Sequence, residues 1–191
     1  MDPRNWHSLD GKFAMHELLK AGVANRGAFV ECGVHSDATV ELICQRVRDE
    51  GQRINLCDAV WGLSKPTPLN GEQWAAGRMR CECDAVAANL SAFKDNVFHE
   101  GRIPDTFDAG APTEVADLHI DVDQHQPTFH TLAFFYPRPT PGTLAVMDNY
   151  GFHSCPGARK ATDDFMTSKP QQLAPFPNGQ TILYLAPSNS T

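Results

Sequence analysis

Ala28-Phe29-Val30-Glu31-Cys32-Gly33-Val34 is a short apolar run that closes on an acid and a glycine. Three later runs close on acids in the same way: Ile54 to Asp58, Leu118 to Asp121, and Leu144 to Asp148. Runs of this length, separated by helical patterns and turn residues, read as strands of a parallel sheet buried on both faces. Ligands of open α/β sheets sit beyond the carboxyl ends of the strands, so Glu31, Asp58, Asp121 and Asp148 are expected around one cofactor and substrate site.

Working outward from the first run, a helix around Phe13 to Ala21 precedes it, and Gly22 and Gly27 break the pattern before the strand Ala28 to Cys32. Ser36 or Asp37 is placed to cap a helix in which Val40, Ile43 and Val47 recur at helical spacing, and Gly51 ends it. A second strand is read at Arg53 to Cys57, and residues 62–83, rich in Pro, Gly and polar residues, as a flap or lid loop. A helix at Asp84 to Phe93 follows, then the run Asn96 to His99 and an irregular stretch to Pro112. The strand Asp117 to Asp121, the helix Thr128 to Phe135, a turn over Pro137 to Gly142 and the strand Thr143 to Met147 continue the alternation. Pro156 suits the first position of a further helix. Asn178-Gly179 between two strand-like runs signals a closing hairpin, weakened in its first arm by Pro175 and Pro177. A mostly parallel seven-stranded α/β sheet that ends in an antiparallel hairpin strand is the layout of Rossmann-like class I S-adenosylmethionine (SAM) methyltransferases.

Bulk properties narrow the partners. The 191 residues suffice for one domain with a real core. The net charge of -7, from 16 basic and 23 acidic residues with no basic block, argues against a nucleic-acid or anionic-membrane surface. No secretory leader pattern and no apolar run long enough to span a bilayer is present, and the chain reads as cytoplasmic. Of the six cysteines, Cys32, Cys44 and Cys57 fall in strand or helix cores, and the Cys81-x-Cys83 pair lacks the second pair that zinc would need.

The chemistry concentrates at the strand ends. Glu31-Cys32-Gly33 stands where a strand turns into a helix, but the next residues, Val34-His35-Ser36-Asp37-Ala38, do not supply GxGxxG, so a dinucleotide is disfavoured. Asp58 suits the hydroxyls of a ribose. Asp121, Asp148 and Asn149 offer oxygen ligands of the kind Mg²⁺ takes, and such a cation would acidify an acceptor hydroxyl for attack on an electrophilic methyl group.

Four segments resemble, in order, the pattern of the macrocin O-methyltransferase (TylF) family. They are Val30-Glu31-Cys32-Gly33-Val34, Asp58 to Leu63, Ile120-Asp121-Val122-Asp123-Gln124-His125 through Thr128, and Met147-Asp148-Asn149-Tyr150-Gly151, with Asp163-Asp164-Phe165 in the following helix. The resemblance implies SAM as methyl donor and Mg²⁺ at Asp121, Asp148 and Asn149. Asp121 would double as general base. Glu31, Gly33 and Asp58 would hold the methionine and ribose portions of the cofactor, with His35 in the adjoining turn and Glu100-Gly101 near the adenine. His125 replaces the family's Tyr and could be an acid–base partner, a substrate contact or a spacer. His119 and His130 read as packing or surface residues, and Trp61, ahead of Trp6 and Trp74, as the aromatic nearest an acceptor. The expected function is methyl transfer to a hydroxyl of a sugar or glycosylated small molecule, by a dimer or higher oligomer on family analogy. Two rivals stand beside it: an inactive methyltransferase-like binding or assembly subunit, suggested by the altered turn after Val34, and a catechol or phenol O-methyltransferase, suggested by Asp148-Asn149.

Overall fold

The computed structural model describes residues 7–35, 38–48, 50–81, 83–93, 95–107 and 110–185. Trp6, Ser36 and Asp37, named above, lie outside these residues. The elements run α1 (Leu9–Val23), β1 (Ala28–Cys32), α2 (Ala38–Val47), β2 (Ile54–Asp58), α3 (Cys83–Asn89), β3 (Asn96–Glu100), β4 (Val115–Ile120), α4 (His125–Phe135), β5 (Pro139–Met147), α5 (Pro156–Met166), β6 (Leu173–Pro175) and β7 (Thr181–Leu185). One seven-stranded sheet takes the order β3-β2-β1-β4-β5-β7-β6. The first five strands pair in parallel and β7 runs antiparallel to both β5 and β6, as the Asn178-Gly179 hairpin predicts.

Alternation along the strands divides the core in two. Phe29 and Leu56 face a cluster with Met15 and Leu19 of α1, Ile43 of α2 and Val86 of α3. Val30, Leu118, Ile120 and Met147 face a second cluster with Leu132 and Phe135 of α4 and Phe165 of α5. Helices therefore cover both faces, and the sheet is buried as a parallel sheet requires. Among the described residues no helix is long and apolar enough to cross a membrane.

The boundaries differ from expectation where side chains, not periodicity, decide them. The first helix begins at Leu9 because the Ser8 hydroxyl accepts from the Gly11 N–H at 3.0 Å. Helix α4 begins at His125 rather than Thr128; Pro127 falls in the first turn, where a missing N–H leaves no bond unmade. The expected turn over Pro137 to Gly142 is largely strand, since β5 starts at Pro139. An irregularity there is held by the Thr140 and Thr143 hydroxyls, which donate to the Val115 carbonyl at 3.0 and 2.6 Å.

Candidate active site

Strand order reverses at β1, with β2 on one side and β4 on the other, so the crevice of the sheet opens there. Register then dictates what lines it. Cys32 pairs with Cys57 and with Ile120, and Ile120 pairs with Met147. One step beyond those partners, Asp58, Gly33, Asp121 and Asp148 form a single row across the carboxyl edge. The ladder continues into that row: Gly33 donates to the Cys57 carbonyl at 2.9 Å, Asp121 to Cys32 at 2.8 Å and Asp148 to Ile120 at 2.9 Å. A cleft of about 360 Å³ opens on the row, lined by all four residues, by His35 and by Asp123 and Asn149.

Glu31 sits two residues short of this edge, on the same side of β1 as Gly33, and is fully buried instead of facing the cleft. Its Oε1 accepts from the Thr39 hydroxyl and, at 3.0 Å, from His119 Nδ1. His119, expected to be packing or surface, is a buried polar link: its Nε2 stands 3.7 Å from Asp148 Oδ1, within ion-pair but outside hydrogen-bonding reach. Burial opposes charge on His119, but Asp148 and Glu31 outweigh it and raise its pKa well above the usual value. Glu31 thus supports Asp148 from beneath.

Gly33 allows the close approach at the centre of the row. Its φ is +91°, and a Cβ there would fall 1.9 Å from the Asp121 carbonyl oxygen. Beside it, Asp58 Oδ2 accepts from the Val34 and His35 N–H groups at 2.5 and 3.0 Å. The turn's amides are thereby taken by the chain's own carboxylate, which suits a cofactor without phosphates. Burial raises the Asp58 pKa against the opposing effect of these two N–H groups.

At the other end of the row, Asp121 Oδ2 and Asp148 Oδ2 lie 3.0 and 3.3 Å from His7 Nε2, and the three donor atoms lie within 4.8 Å of one another. The side chains are 18 %, 6 % and 12 % exposed in that order. Asp148 Oδ1 accepts from Gln180 Nε2 at 2.5 Å. Burial opposes the charge on His7, but its bonds to Asp121 and Asp148 prevail and push its pKa up to about 10. Burial also works against ionised Asp148, and His119 and His7 overcome it, holding the carboxyl well below its ordinary value. Two carboxylate oxygens and an imidazole nitrogen so close together, mostly out of solvent, fit a divalent cation that would displace the proton His7 holds between the carboxylates.

Asn149 lines the cleft, but its amide is engaged with Asp123: Nδ2 donates to Asp123 Oδ1 at 3.1 Å and Oδ1 accepts from the Asp123 N–H at 3.4 Å. Asp123 itself has a left-handed φ of 56° and is buried, and burial with the neighbouring Asp121 charge lifts its pKa to about 7. Neither Asp123 nor His7 was singled out by sequence. Asp123 stood unassigned within the motif, while His7 precedes the first helix with no spacing to mark it.

Four other expected residues lie elsewhere. His125 faces away from the row, with its N–H donated to Asn70 Oδ1 at 2.8 Å and its Nε2 3.2 Å from Asp164 of α5, because it opens α4 on the far side of the 62–83 segment. Glu100 is exposed at the end of outer strand β3, and Gly101 spends its N–H on the Asp58 carbonyl at 3.0 Å; Arg102 and Ile103 line the cleft in their place. Trp61 is 57 % exposed and outside the cleft, whereas Trp74 lines it, anchored by its indole N–H on the Ser154 carbonyl at 2.8 Å. Residues 62–79 form a wall of the cleft, tied down by Gln124 Nε2 on the Ser64 carbonyl at 3.0 Å and Arg102 on the Ser64 hydroxyl at 2.6 Å.

No curated protein matches the chain in sequence. Among solved structures, the O-methyltransferase NovP superposes with a TM-score of 0.74 at 18 % identity, covering 95 % of this chain and 83 % of its own. The calicheamicin methyltransferase CalS11 does so with 0.78 at 18 % identity, covering 95 % and 80 %. TomG from Streptomyces achromogenes, solved with SAM, gives 0.63 at 13 % identity, covering 97 % and 83 %. At these identities the likeness is one of fold. The model of the macrocin O-methyltransferase (TylF) family matches residues 9–174. That span holds the whole carboxyl-edge row, and the chain belongs to the TylF family of SAM-dependent O-methyltransferases.

Proposed function

We propose that this chain transfers the methyl group of SAM to a hydroxyl of a sugar or glycosylated small molecule, with a divalent cation such as Mg²⁺ held at Asp121 and Asp148. The observation that supports the reading is that Asp58, Gly33, Asp121 and Asp148 line one cleft in a single row, where Asp58 would meet a nucleoside and Asp121 with Asp148 a cation. An acidic cleft also suits a donor that is itself a sulfonium cation. CalS11 is described as a TDP-rhamnose 3'-O-methyltransferase, which supports a sugar acceptor here. A bound divalent cation would lower the pKa of the acceptor hydroxyl and supply positive charge beside it.

The chain's own residues do the rest. Asp58 orients the ribose, with the Gly33 to His35 turn closing around the methionine portion. Asp148 is held ionised by His119 and His7 and fixed by Gln180, so it meets a cation without rotamer search. Asn149 keeps Asp123 in place through both ends of its amide. Asp123, buried in the same cleft in a strained backbone conformation, receives the hydroxyl proton, leaving Asp121 to its role as ligand. Residues 62–79 exclude water and bring Trp74 against the acceptor.

The test is calorimetric titration with S-adenosylhomocysteine, with and without Mg²⁺, followed by turnover on nucleotide-sugar and glycoside acceptors. Wild type is expected to bind at micromolar level and to lose turnover in EDTA. Asp123→Asn is expected to retain binding of S-adenosylhomocysteine and of the cation while losing turnover by about 100-fold or more. Turnover undiminished in EDTA would remove the cation from the reading, and absent S-adenosylhomocysteine binding would remove the cofactor.

A further inference from the structure

We propose that His7 is a third protein ligand of the cation site, completing a His-Asp-Asp face that favours a first-row transition ion such as Mn²⁺ over Mg²⁺. The inference rests on reading Asp121 and Asp148 as cation ligands, and it concerns what this chain adds to them.

The spacing is that of donors around one ion. In six-coordinate geometry adjacent donors stand √2 bond lengths apart, which is about 3.0 to 3.3 Å for bonds of about 2.1 to 2.3 Å. His7 Nε2 lies 3.0 Å from Asp121 Oδ2 and 3.3 Å from Asp148 Oδ2. The other Asp148 oxygen is occupied by Gln180, so its ligating oxygen is the one that faces His7. The alternative third donor, the Asn149 amide oxygen, already accepts from the Asp123 backbone.

His7 is also held in place. It stands one residue before the Ser8 cap, which sets where α1 begins. The start of that helix is tied to the β6–β7 turn, because Asn178 Nδ2 donates to the Asp10 carbonyl at 3.4 Å. The same turn sends Gln180 to Asp148. One short segment thus positions both the imidazole and a carboxylate it meets, and the His7 side chain is only 12 % exposed.

Donor chemistry then sets the preference. Mg²⁺ is a hard ion that gains little from nitrogen, whereas imidazole suits first-row ions such as Fe²⁺ and Zn²⁺, and Mn²⁺, the hardest of that row, takes an imidazole beside carboxylates more readily than Mg²⁺ does. A site with two carboxylates and one imidazole takes such ions at concentrations where an all-oxygen site would still need Mg²⁺ in excess.

The experiment is a titration of the full chain with Mn²⁺ and separately with Mg²⁺, followed by pulsed electron paramagnetic resonance of the bound Mn²⁺, for wild type, His7→Ala, His7→Gln and Asp148→Ala. Expected are tighter binding of Mn²⁺ than Mg²⁺, ¹⁴N modulation from one imidazole in wild type, and loss of that modulation in both His7 variants. Mn²⁺ affinity should fall by about 10-fold or more in those variants while Mg²⁺ affinity changes by less than about 3-fold. Circular dichroism checks that each variant is folded. Mn²⁺ bound without ¹⁴N modulation and equally well by the His7 variants would overturn the inference and leave the cation site standing. Tighter binding on loss of His7 would overturn it too, by making the imidazole a competitor of the ion. No binding of either ion by wild type would overturn the cation site itself.

Discussion

Replacing Gly33 by alanine tests the geometry of the whole carboxyl edge. Two penalties separate cleanly. The residue has φ +91°, and an L-residue held in left-handed backbone loses about 1–2 kcal/mol. The second penalty is steric: the new Cβ would lie 1.9 Å from the Asp121 carbonyl oxygen, so β1 and β4 must part by about 1 Å to reach the closest contact that real Cβ atoms make. Parting them strains the Asp121 N–H to Cys32 hydrogen bond that joins the two strands, at about 1 kcal/mol, and the overlap left after the shift adds about 1 kcal/mol more. The expected loss is about 3–4 kcal/mol, or roughly 10 °C in melting temperature for a chain of this size. Gly51→Ala supplies the control. Gly51 has φ +66° with nothing within 4 Å of its would-be Cβ, so that variant should lose only the backbone penalty of about 1–2 kcal/mol. Urea unfolding of both variants gives the comparison, and cation titration of Gly33→Ala should show weakened binding as Asp121 shifts. Equal losses in the two variants, with cation affinity unchanged in Gly33→Ala, would refute the close approach and with it the row.

Two further predictions concern the buried polar residues beneath the cleft. Asp117 is buried with Oδ2 lacking a hydrogen-bond partner among the described residues, and burial pushes its pKa up to about 7 against the opposing charge of His119. A carboxyl whose pKa is raised on folding stabilises fully below its unfolded value near 4 and loses that contribution as pH climbs to about 7, so the stability of Asp117→Asn relative to wild type should rise across that window, by at most about 4 kcal/mol. A difference independent of pH, followed by thermal melts, would argue against it. Glu31→Gln takes away the buried carboxylate charge that faces His119 and should destabilise by about 3 kcal/mol. Adding His119→Asn should recover part of that loss, and strict additivity of the two changes in urea unfolding would mean that the pair is not coupled.

Much of this molecule is local and therefore readable along the chain. A period of two or three to four residues, a glycine after a helix and Asn-Gly between apolar runs report on backbone geometry within a few residues, and Ala28–Cys32 is a strand with the expected bounds. The presence of acids at strand ends is equally visible. Which acid reaches the edge is not, because that depends on how far each neighbouring strand extends. The pairing of Cys32 with Cys57 and Ile120 puts Asp58, Gly33, Asp121 and Asp148 in the row and leaves Glu31 one pleat inside, where it meets His119. Trp61 and Trp74 divide the same way, by the path of a loop that no period describes. His7 is the extreme case. It lies more than a hundred residues from Asp121, and only the docking of α1 against the β6–β7 turn brings them together. Sequence alone determined the elements and the kind of chemistry at their ends, because both are set by short-range preference and residue type; the tertiary structure decided which groups meet, because register and helix docking are fixed by packing between segments far apart in the chain.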